Sequence, residues 1–596
     1  MNGMNLTMMF RSISALALGV LLTLWAQPSR AVDPFADYDM VMYERPGFPS
    51  VLIEDVFPDG LLDLWSRALA RPEVELQRMA IDSMAIAHQQ GLAGVETLRP
   101  ELRQILDASD QNRDLVRAAA QALIAIDSKS DADRLADAAV EYGGTVAQVI
   151  EPALGAWNSD AMKSHWLQRI GSPAASGNRL LMAIEGLGAL GAEEAAPTLV
   201  EIVRQRHAAP RVRMAAARVL SQLDSSEVVG LAQSLLREDT YRQPLAAIMS
   251  IELLKRHNDD DAIELFKSLL ESPNLAVQGG ALSQLYRIDP EQVDQYVPRF
   301  VDSRDAAVRS VCARSMIATR KQKNIERLAV MLDDQNPSLR REVAAGLVAL
   351  ADQQDLKDEI QQRVFEVLRQ DSWQGCEQAA VVLAKLDFKA SGPRMVELLT
   401  HQRGEVKVAS AWGLTQLRIE ELLPAMLEHA QQIHAGFQSD RYNDEMPGLS
   451  DHVAHLFIAM GDQSYAPAAP LMRQYLPKNY SLGLHARAAA AWALGLIHED
   501  DPPADLVTIM VGRINDVYSL EPESGAVRRM CAVSLGRMEA ESALPDLREQ
   551  AGTEAPASRA CDWAIEKITG DPVPQFPPRQ RELTGWFLSP IPTTKP

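Results

Sequence analysis

The stretch that decides the fold runs from Asp305 to Asp352 and reads DAAVRSVCARSMIATRKQKNIERLAVMLDDQNPSLRREVAAGLVALAD. It contains the same unit twice: a short helix, a tight turn, and a second helix that opens on Val or Leu followed by Arg. Apolar residues of the short helix recur at i, i+3, i+4 and i+7, the spacing of an amphipathic helix. They are Ile325, Leu328, Ala329 and Leu332. Asn336 and Pro337 then suit the N-cap and first turn of the second helix.

The second helix of this unit recurs along the whole chain. When its opening Val or Leu is numbered slot 1, slots 1, 5, 8, 9 and 12 form the apolar stripe. Slot 9 falls on fifteen residues: Met84, Leu123, Ala153, Leu187, Leu220, Leu253, Leu285, Met316, Leu347, Leu383, Leu414, Phe457, Leu494, Leu535 and Ile565. One helical pair cannot bury its apolar face alone, so we predict an all-α solenoid of about fifteen stacked repeats over residues 62–570.

The repeated residues resemble the HEAT-repeat family, in particular its short bacterial form, often called the phycobilin-lyase-type HEAT-like repeat. The family pattern, D-x-x-V-R-x-x-A-A-x-A-L-G-x-L, is matched at Asp305 to Arg309, at Val212 to Ala217 and at Val527 to Gly536. The resemblance implies a right-handed α-solenoid of the armadillo-like kind. It leaves the function open, because HEAT arrays serve many unrelated tasks.

The first 31 residues are typical of a secretory signal peptide. Arg11 gives a positive start, Ile13 to Trp25 is apolar, and Ser29 to Ala31 forms a small-x-small cleavage site. An uncleaved anchor is the alternative, but this run is shorter than the ~20 residues that span a bilayer. We therefore predict a periplasmic or secreted chain with no membrane insertion after cleavage.

The remaining non-repeat segments have distinct compositions. Residues 32–61 carry prolines and aromatic residues, which predicts an irregular cap lying against the first helices. Residues 571–596 form a proline-rich tail, which we expect to dock through Trp586, Phe587 and Leu588. Three insertions widen the slot-9 spacing near residues 436–450, 476–483 and 498–505. Insertions into repeat arrays map to loops, frequently on the binding face.

Charge and cysteine content exclude some classes of protein. The net charge of -21 and pI near 5.1 argue against nucleic-acid binding, which requires a basic surface. Cys531 and Cys561 occupy slot 5 of neighbouring repeats, so a disulfide between them is conceivable. Stacked helices lie ~8–10 Å apart, however, and a disulfide needs Cα atoms within about 7 Å. Buried free thiols are the favoured interpretation.

Candidate catalytic motifs are few. Gly186, Gly188 and Gly191 satisfy G-x-G-x-x-G, but the motif closes a repeat's second helix instead of linking a strand to a helix. Iron-dependent deoxyhypusine hydroxylases resemble this chain in repeat type and use several His-Glu pairs, whereas only His498-Glu499 occurs here. We expect no catalytic residue and no cofactor. Four clustered histidines could begin a metal site, although loop histidines are common: His429, His434, His452 and His455.

Two further sets of residues share a slot. Slot 7 points about 150° from the apolar stripe at 100° per residue, so it should project into the groove lined by the second helices. It holds Trp412, His455, Trp492 and Trp563, which we predict to bind a partner, since tryptophan is enriched at binding hot spots. The alternative is that the insertions cover these rings as local core. Slot 2 holds cations expected to form a structural ladder between repeats: Arg213, Arg309, Arg340, Lys407, Arg487 and Arg528.

The sequence therefore predicts an exported, non-enzymatic interaction scaffold that binds a protein or peptide in the concave groove of a HEAT-like solenoid. The alternative is an enzyme or a cofactor- or metal-handling protein whose site lies among the C-terminal insertions. Neither the partner nor the oligomeric state follows from the sequence.

Overall fold

The computed structural model describes residues 46–48, 52–108, 111–172, 177–223, 227–237, 244–438, 448–517, 520–553, 555–573 and 577–583. These residues divide into two compact units. One contains residues 52–315 and 577–583, and the other contains residues 46–48 and 316–573. The predicted signal peptide at residues 1–31 and the predicted docking residues Trp586 to Leu588 lie outside the described residues. No helix among the described residues is long and apolar enough to cross a membrane.

The helices follow one another as short and longer partners. The first unit contains α1 (Leu61–Leu69), α2 (Val74–Gln89), α3 (Arg99–Asp107), α4 (Arg113–Ala125), α5 (Ala132–Tyr142), α6 (Gly144–Ala156), α7 (Lys163–Ile170), α8 (Gly177–Ala189), α9 (Ala196–Arg204), α10 (Pro210–Gln222), α11 (Val228–Arg237), α12 (Pro244–Leu253), α13 (Asp260–Leu269), α14 (Leu275–Ile288), α15 (Glu291–Asp294) and α16 (Val297–Phe300). Helix α17 (Ala306–Thr319) crosses the boundary between the units.

The second unit continues the same alternation. Its helices are α18 (Ile325–Val330), α19 (Pro337–Leu350), α20 (Gln354–Leu368), α21 (Trp373–Lys385), α22 (Gly392–Leu398), α23 (Gly404–Leu417), α24 (Leu423–Gln438), α25 (Leu449–Asp462), α26 (Ala469–Arg473), α27 (Leu484–Ile497), α28 (Ala504–Ile514), α29 (Gly525–Arg537), α30 (Leu544–Gln550) and α31 (Pro556–Thr569). Within each unit, second helices pack on their own first helix and on the second helices of adjacent repeats, as α29 does on α28, α27 and α31. The prediction of an all-α solenoid is confirmed.

The stretch from Asp305 to Asp352 folds as its sequence indicates. The Asn336 side chain caps α19, accepting hydrogen bonds from the backbone N–H groups of Ser338 at 3.0 Å and Leu339 at 3.1 Å. Pro337 is the first residue of the helix, where its missing N–H costs nothing. The apolar stripes of α18 and α19 are buried against each other and against neighbouring repeats. Local sequence alone therefore specifies this hairpin.

Slot 9 is the centre of the core in most repeats. Thirteen of the fifteen predicted residues are buried, and the exceptions are the half-buried Ala153 and Ile565. In α6 the buried central residue is Leu154, one position after the predicted Ala153. The register prediction was wrong there because Pro152 and Gly155 interrupt the apolar pattern. Counted back from the end of the helix, Leu154 occupies the position that slot 9 has in the other repeats. Ile565 lies in the last repeat that the structure describes.

The second helices end on a recurring left-handed residue. Asp127, Asn158, Asp387 and Glu539 have φ between 50° and 56°. After Glu539, the backbone N–H of Ala540 donates to the carbonyl of Leu535 at 3.0 Å, the six-to-one hydrogen bond of a Schellman motif. The carbonyl of the slot-9 residue thus terminates its own helix. This turn starts the next short helix at a fixed position.

A small parallel sheet is the main departure from the predicted fold. Strand β1 (Ile53–Val56) pairs with β2 (Arg579–Glu582), and the Arg581 guanidinium binds the Asp55 carboxylate at 2.6 and 2.8 Å. The sequence predicted an irregular cap at residues 32–61 and an extended proline-rich tail at residues 571–596, and neither prediction included a paired strand. The two strands are 526 residues apart at that ion pair. A four-residue charged strand such as Arg-Gln-Arg-Glu has no hydrophobic alternation to reveal it.

We expect glycine at the left-handed cap to stabilise the fold. Glu539 is exposed with φ of 51°, a conformation that costs a non-glycine residue about 1 kcal/mol. Glu539→Gly should raise the free energy of unfolding by up to about 1 kcal/mol, as measured by urea denaturation. The control Glu549→Gly, at an exposed position inside α30, should lower it by about 1 kcal/mol. Equal losses in both variants would contradict the proposed cap.

Candidate interaction face of the second helices

The second helices of the C-terminal repeats approach one another closely because small residues meet there. A Cβ atom added at Gly461 would lie 2.6 Å from Cβ of Ala493, and one at Gly495 would lie 2.5 Å from Cβ of Ser534. At Gly536 it would lie 2.8 Å from Cα of Ala564. These contacts involve atoms on or next to the backbone, so they cannot relax by rotating a side chain. The sequence places glycine where helices α25, α27, α29 and α31 touch.

This close approach determines where the slot-7 residues lie. Trp412 is 5% exposed, Trp492 is 2% exposed and His455 is 4% exposed, so the prediction that they form an open stripe was wrong. The Trp492 ring lies beside Gly461 of the preceding second helix. A helical wheel assumes one buried side, whereas these helices contact a first helix and two neighbouring second helices. Trp563, in the last repeat, is half-buried.

A cation lies over each of the three slot-7 tryptophan rings. The Lys385 ammonium is 5.3 Å from the centroid of Trp412. The Arg537 guanidinium is 5.0 Å from that of Trp492, and the Lys567 ammonium is 5.6 Å from that of Trp563. Cations within about 6 Å of an aromatic face are attracted by its quadrupole. The rings and their cations therefore tie successive turns and repeats together.

One cation of this face contacts a non-helical segment of the chain instead of a tryptophan. Arg529 lies in slot 3 of α29, four residues before slot 7 and therefore on the same side of the helix. Its Nη2 donates to the carbonyl of Pro46 at 2.6 Å, and its guanidinium is 4.7 Å from the centroid of Phe48. The sequence predicted that residues 32–61 lie against the N-terminal helices of the array. For Pro46 and Phe48 this prediction was wrong, because they contact α29. We call Arg529, Pro46 and Phe48 the Arg529 subsite.

The Arg529 subsite was not found from the sequence. Its residues are 483 positions apart at the hydrogen bond, and no local pattern links them. The only available signal was the pair Arg528-Arg529, in which the second arginine lies outside the slot-2 series. A buried guanidinium on a helix face needs a hydrogen-bond acceptor, and the Pro46 carbonyl supplies one.

The four candidate histidines do not form one site. His429 and His452 face each other with ring centroids 5.1 Å apart. His434 instead contacts the Tyr475 ring at 5.2 Å between centroids, and the backbone carbonyl of His455 accepts from Thr415 at 3.1 Å. Over the residues that the structure describes, no group of three or more His, Cys, Asp or Glu side chains is placed to hold a metal ion. The predicted four-histidine metal site is therefore not assembled.

The His429–His452 pair is held in the neutral state. Burial, together with the nearby Lys407 ammonium, lowers the pKa of His429 to about 4. Burial lowers the pKa of His452 well below its usual value, with smaller contributions from His429, Lys407 and His455. Among the residues that the structure describes, both ring nitrogens of His452 and Nε2 of His429 have no hydrogen-bond partner. The folded pair stays neutral at pH values where the same side chains take up protons in the unfolded chain. The pair therefore lowers the free energy of unfolding in acid.

The slot-2 cations mostly hydrogen-bond within their own repeat. Arg213 donates to the Val203 carbonyl at 2.9 Å, Arg309 to Ser303 at 2.6 Å and Arg340 to Asp334 at 2.8 Å. We had expected acceptors in the neighbouring repeat, but the closest carbonyl belongs to the turn that precedes the same helix. Two of them also reach the next repeat, as predicted. Arg340 forms an ion pair with Glu377 at 3.9 Å, and Arg528 donates to Ile514 at 3.0 Å and to the side chain of Gln550, in the next repeat, at 3.3 Å. Lys407 lies beside the paired histidines.

Arg487 forms the most buried ion pair of this region. Its guanidinium binds the Glu523 carboxylate through two hydrogen bonds of 2.8 and 2.6 Å, and both side chains are buried. Its Nε also donates to the Tyr475 carbonyl at 3.2 Å. Glu523 precedes α29, so this pair joins one repeat to the next. The 476–483 insertion is tied to the same loop, because Lys478 binds Asp516 at 2.9 Å and Tyr480 donates to the Pro522 carbonyl at 3.0 Å.

The remaining candidates have structural roles. Gly186 faces the Trp166 ring, Gly188 faces Val219, and Gly191 ends α8 with φ of 61°, as expected for a repeat seam. The four cysteines are buried and free: Cys312, Cys376, Cys531 and Cys561. Burial raises the pKa of Cys531 and Cys561 to about 12, which keeps these thiols protonated.

Comparison with known proteins agrees with the fold. Residues 165–251 match the family model for HEAT repeats. Yeast importin-β (Kap95p), in a structure with RanGDP, is 13% identical with a TM-score of 0.52, over 85% of this chain and 72% of the other. Importin β crystallised in ammonium sulfate is 13% identical with a TM-score of 0.47, over 86% and 72%. At this identity the likeness concerns the fold alone. No curated protein matches the chain by sequence.

These findings define the fold class. The chain is an α-solenoid, and its residues 165–251 match the HEAT-repeat model, in line with the resemblance of its repeats.

The neutral histidine pair predicts loss of stability in acid. The unfolded chain protonates these histidines near pH 6.5, whereas folded His429 takes a proton only near pH 4. Stability is therefore full above pH 6.5 and falls as the pH drops below it, by up to about 1.4 kcal/mol per pH unit for each such histidine. His452→Gln should make the decline between pH 7 and pH 5 shallower in urea denaturation. Exposed His207→Gln is the control, and equal pH dependence in both variants would contradict the explanation.

Proposed function

We propose that this protein is an exported, non-enzymatic scaffold that binds an extended segment of a partner protein along the face of its second helices. The observation that carries the proposal is the Arg529 subsite. There a second helix already holds a main-chain carbonyl and an aromatic ring through one guanidinium. A face that binds two residues of a three-residue segment of its own chain in this way is chemically suited to bind a similar segment of another protein.

The chemistry of Arg529 suits peptide recognition. A guanidinium offers several N–H donors in a rigid fork and stacks on aromatic rings, so it can read a carbonyl and a ring at once. Arg529 itself is buried, which strengthens both contacts by excluding water. Arg and aromatic residues are also the groups most enriched at binding hot spots. We therefore assign the partner-binding role predicted for the slot-7 residues to Arg529 and the half-buried Trp563. Trp412, His455 and Trp492 are core residues.

The fold supports the same class of function. HEAT-repeat solenoids are typical protein-interaction scaffolds, and Kap95p is described as binding RanGDP and assembling nuclear import complexes. A protein or peptide partner is consistent with the acidic composition, which disfavours nucleic acid. No observation on the described residues favours the enzyme alternative. Export rests on the predicted signal peptide at residues 1–31, whose removal would leave Val32 as the first residue.

Capture of partners by the purified exported chain tests the proposal. Wild type, Arg529→Ala and the control Arg548→Ala would be immobilised, and bound proteins identified by mass spectrometry. Arg548 is an exposed arginine of the neighbouring helix α30. We expect Arg529→Ala to lose at least about 2 kcal/mol of binding to a reproducible partner, and Arg548→Ala to keep it. Identical capture by all three proteins, or no partner above background, would contradict the proposal.

A further inference from the structure

The residues held at the Arg529 subsite read Pro46-Gly47-Phe48. The Pro46 carbonyl and the Phe48 ring both contact Arg529, while Gly47 between them is exposed. A carbonyl and a ring two positions apart can therefore reach one guanidinium, and the residue between them is not read. The subsite thus recognises a carbonyl-x-aromatic pattern.

Proline adds to this recognition. It fixes φ near -65° and has no N–H to satisfy, so a segment that begins with proline has fewer backbone conformations to lose on binding. Ordering such a segment on the helix costs less conformational entropy than ordering a flexible one. Since a carbonyl is common to all peptides, the specificity lies in the proline and the ring. A Pro-x-aromatic peptide is the ligand chemistry that the subsite selects.

We propose that Pro46-Gly47-Phe48 is a resident pseudo-ligand and that the partner displaces it with a Pro-x-aromatic segment of its own. This proposal rests on the proposed function and specifies the partner's recognition sequence. A tethered segment acts at an effective concentration in the millimolar range for a short flexible link. Only a partner that binds more tightly than this competitor would occupy the subsite, so the segment sets a threshold for binding.

The contacts of the segment are suited to exchange. Among the described residues they include one charge-assisted hydrogen bond and one cation–π contact, and both Pro46 and Phe48 are only half-buried. Because Arg529 is buried, its cation–π contact with Phe48 is worth up to about a thirtyfold change in affinity. These interactions hold a tethered segment in place but do not commit it irreversibly.

A fluorescent peptide with the chain's own sequence ERPGFPS, residues 44–50, is the probe. Its binding to the full chain would be followed by fluorescence anisotropy. We expect Phe48→Ala to bind the peptide at least about tenfold more tightly than wild type, because the resident ring no longer competes. Adding Arg529→Ala to Phe48→Ala should remove that gain. The conservative variant Phe48→Tyr, which keeps a ring, should behave like wild type.

Two results would overturn the proposal. Equal peptide affinity in wild type, Phe48→Ala and the double variant would show that the subsite does not read the segment. A Phe48→Ala chain that loses its cooperative thermal transition would show that the segment is a clamp required by the fold. Arg529→Ala alone gives a second route, since it also releases the segment, and loss of its transition would have the same meaning.

The outcomes separate this inference from the proposed function. If Arg529→Ala abolishes partner capture but the peptide binds no variant, the scaffold function stands and the pseudo-ligand is rejected. If the peptide binds Phe48→Ala through Arg529 and no partner is captured, the subsite is real and the scaffold function fails. When both hold, the peptide should also compete with the captured partner, and a peptide in which phenylalanine is replaced by alanine should not.

Discussion

The contact between successive second helices through glycine is the constraint on which the C-terminal repeats depend. Gly495 faces Ser534 so closely that an added Cβ would lie 2.5 Å from both its Cβ and Oγ atoms. The helices can approach this far only where one partner has no side chain. Their proximity buries slot 7 as well as the apolar stripe, which places Trp492 and His455 in the core. Polar groups buried in this region must be either ion-paired or neutral. Arg487 and Glu523 form an ion pair, and the His429–His452 pair is neutral.

Most of the fold could be predicted from the sequence because a repeat encodes its own periodicity. The slot-9 residues, the Asn336 cap and the buried free thiols all follow from local spacing and residue type. The prediction of slot 7 was wrong because it requires the distance between helices, which one helix does not encode. The glycines that set this distance were visible in the sequence, but their partners lie one repeat away. The register in α6 was wrong by one residue for a local reason, namely Pro152 inside the helix.

Long-range contacts between non-repeated segments account for the rest. The β1–β2 pairing and the Arg529 subsite join residues that are hundreds of positions apart. Neither segment carries a periodic pattern, so only the folded chain shows what each one contacts. The candidate site differs from the prediction for the same reason. Repeat periodicity identified the second helices as the relevant surface, whereas the contact with Pro46 and Phe48 identified the residue that can bind a peptide.

The most direct test of this account compares two glycines by hydrogen exchange. Gly495→Ala would place Cβ against Ser534, whereas Gly512→Ala, in α28, meets nothing within 4 Å. Overpacking of this kind costs about 1–3 kcal/mol. The account predicts that Gly495→Ala lowers amide protection in α27 and α29 first, and that Gly512→Ala leaves protection unchanged or raises it slightly. Equal protection in the two variants would contradict the claim that close helix contact organises this unit.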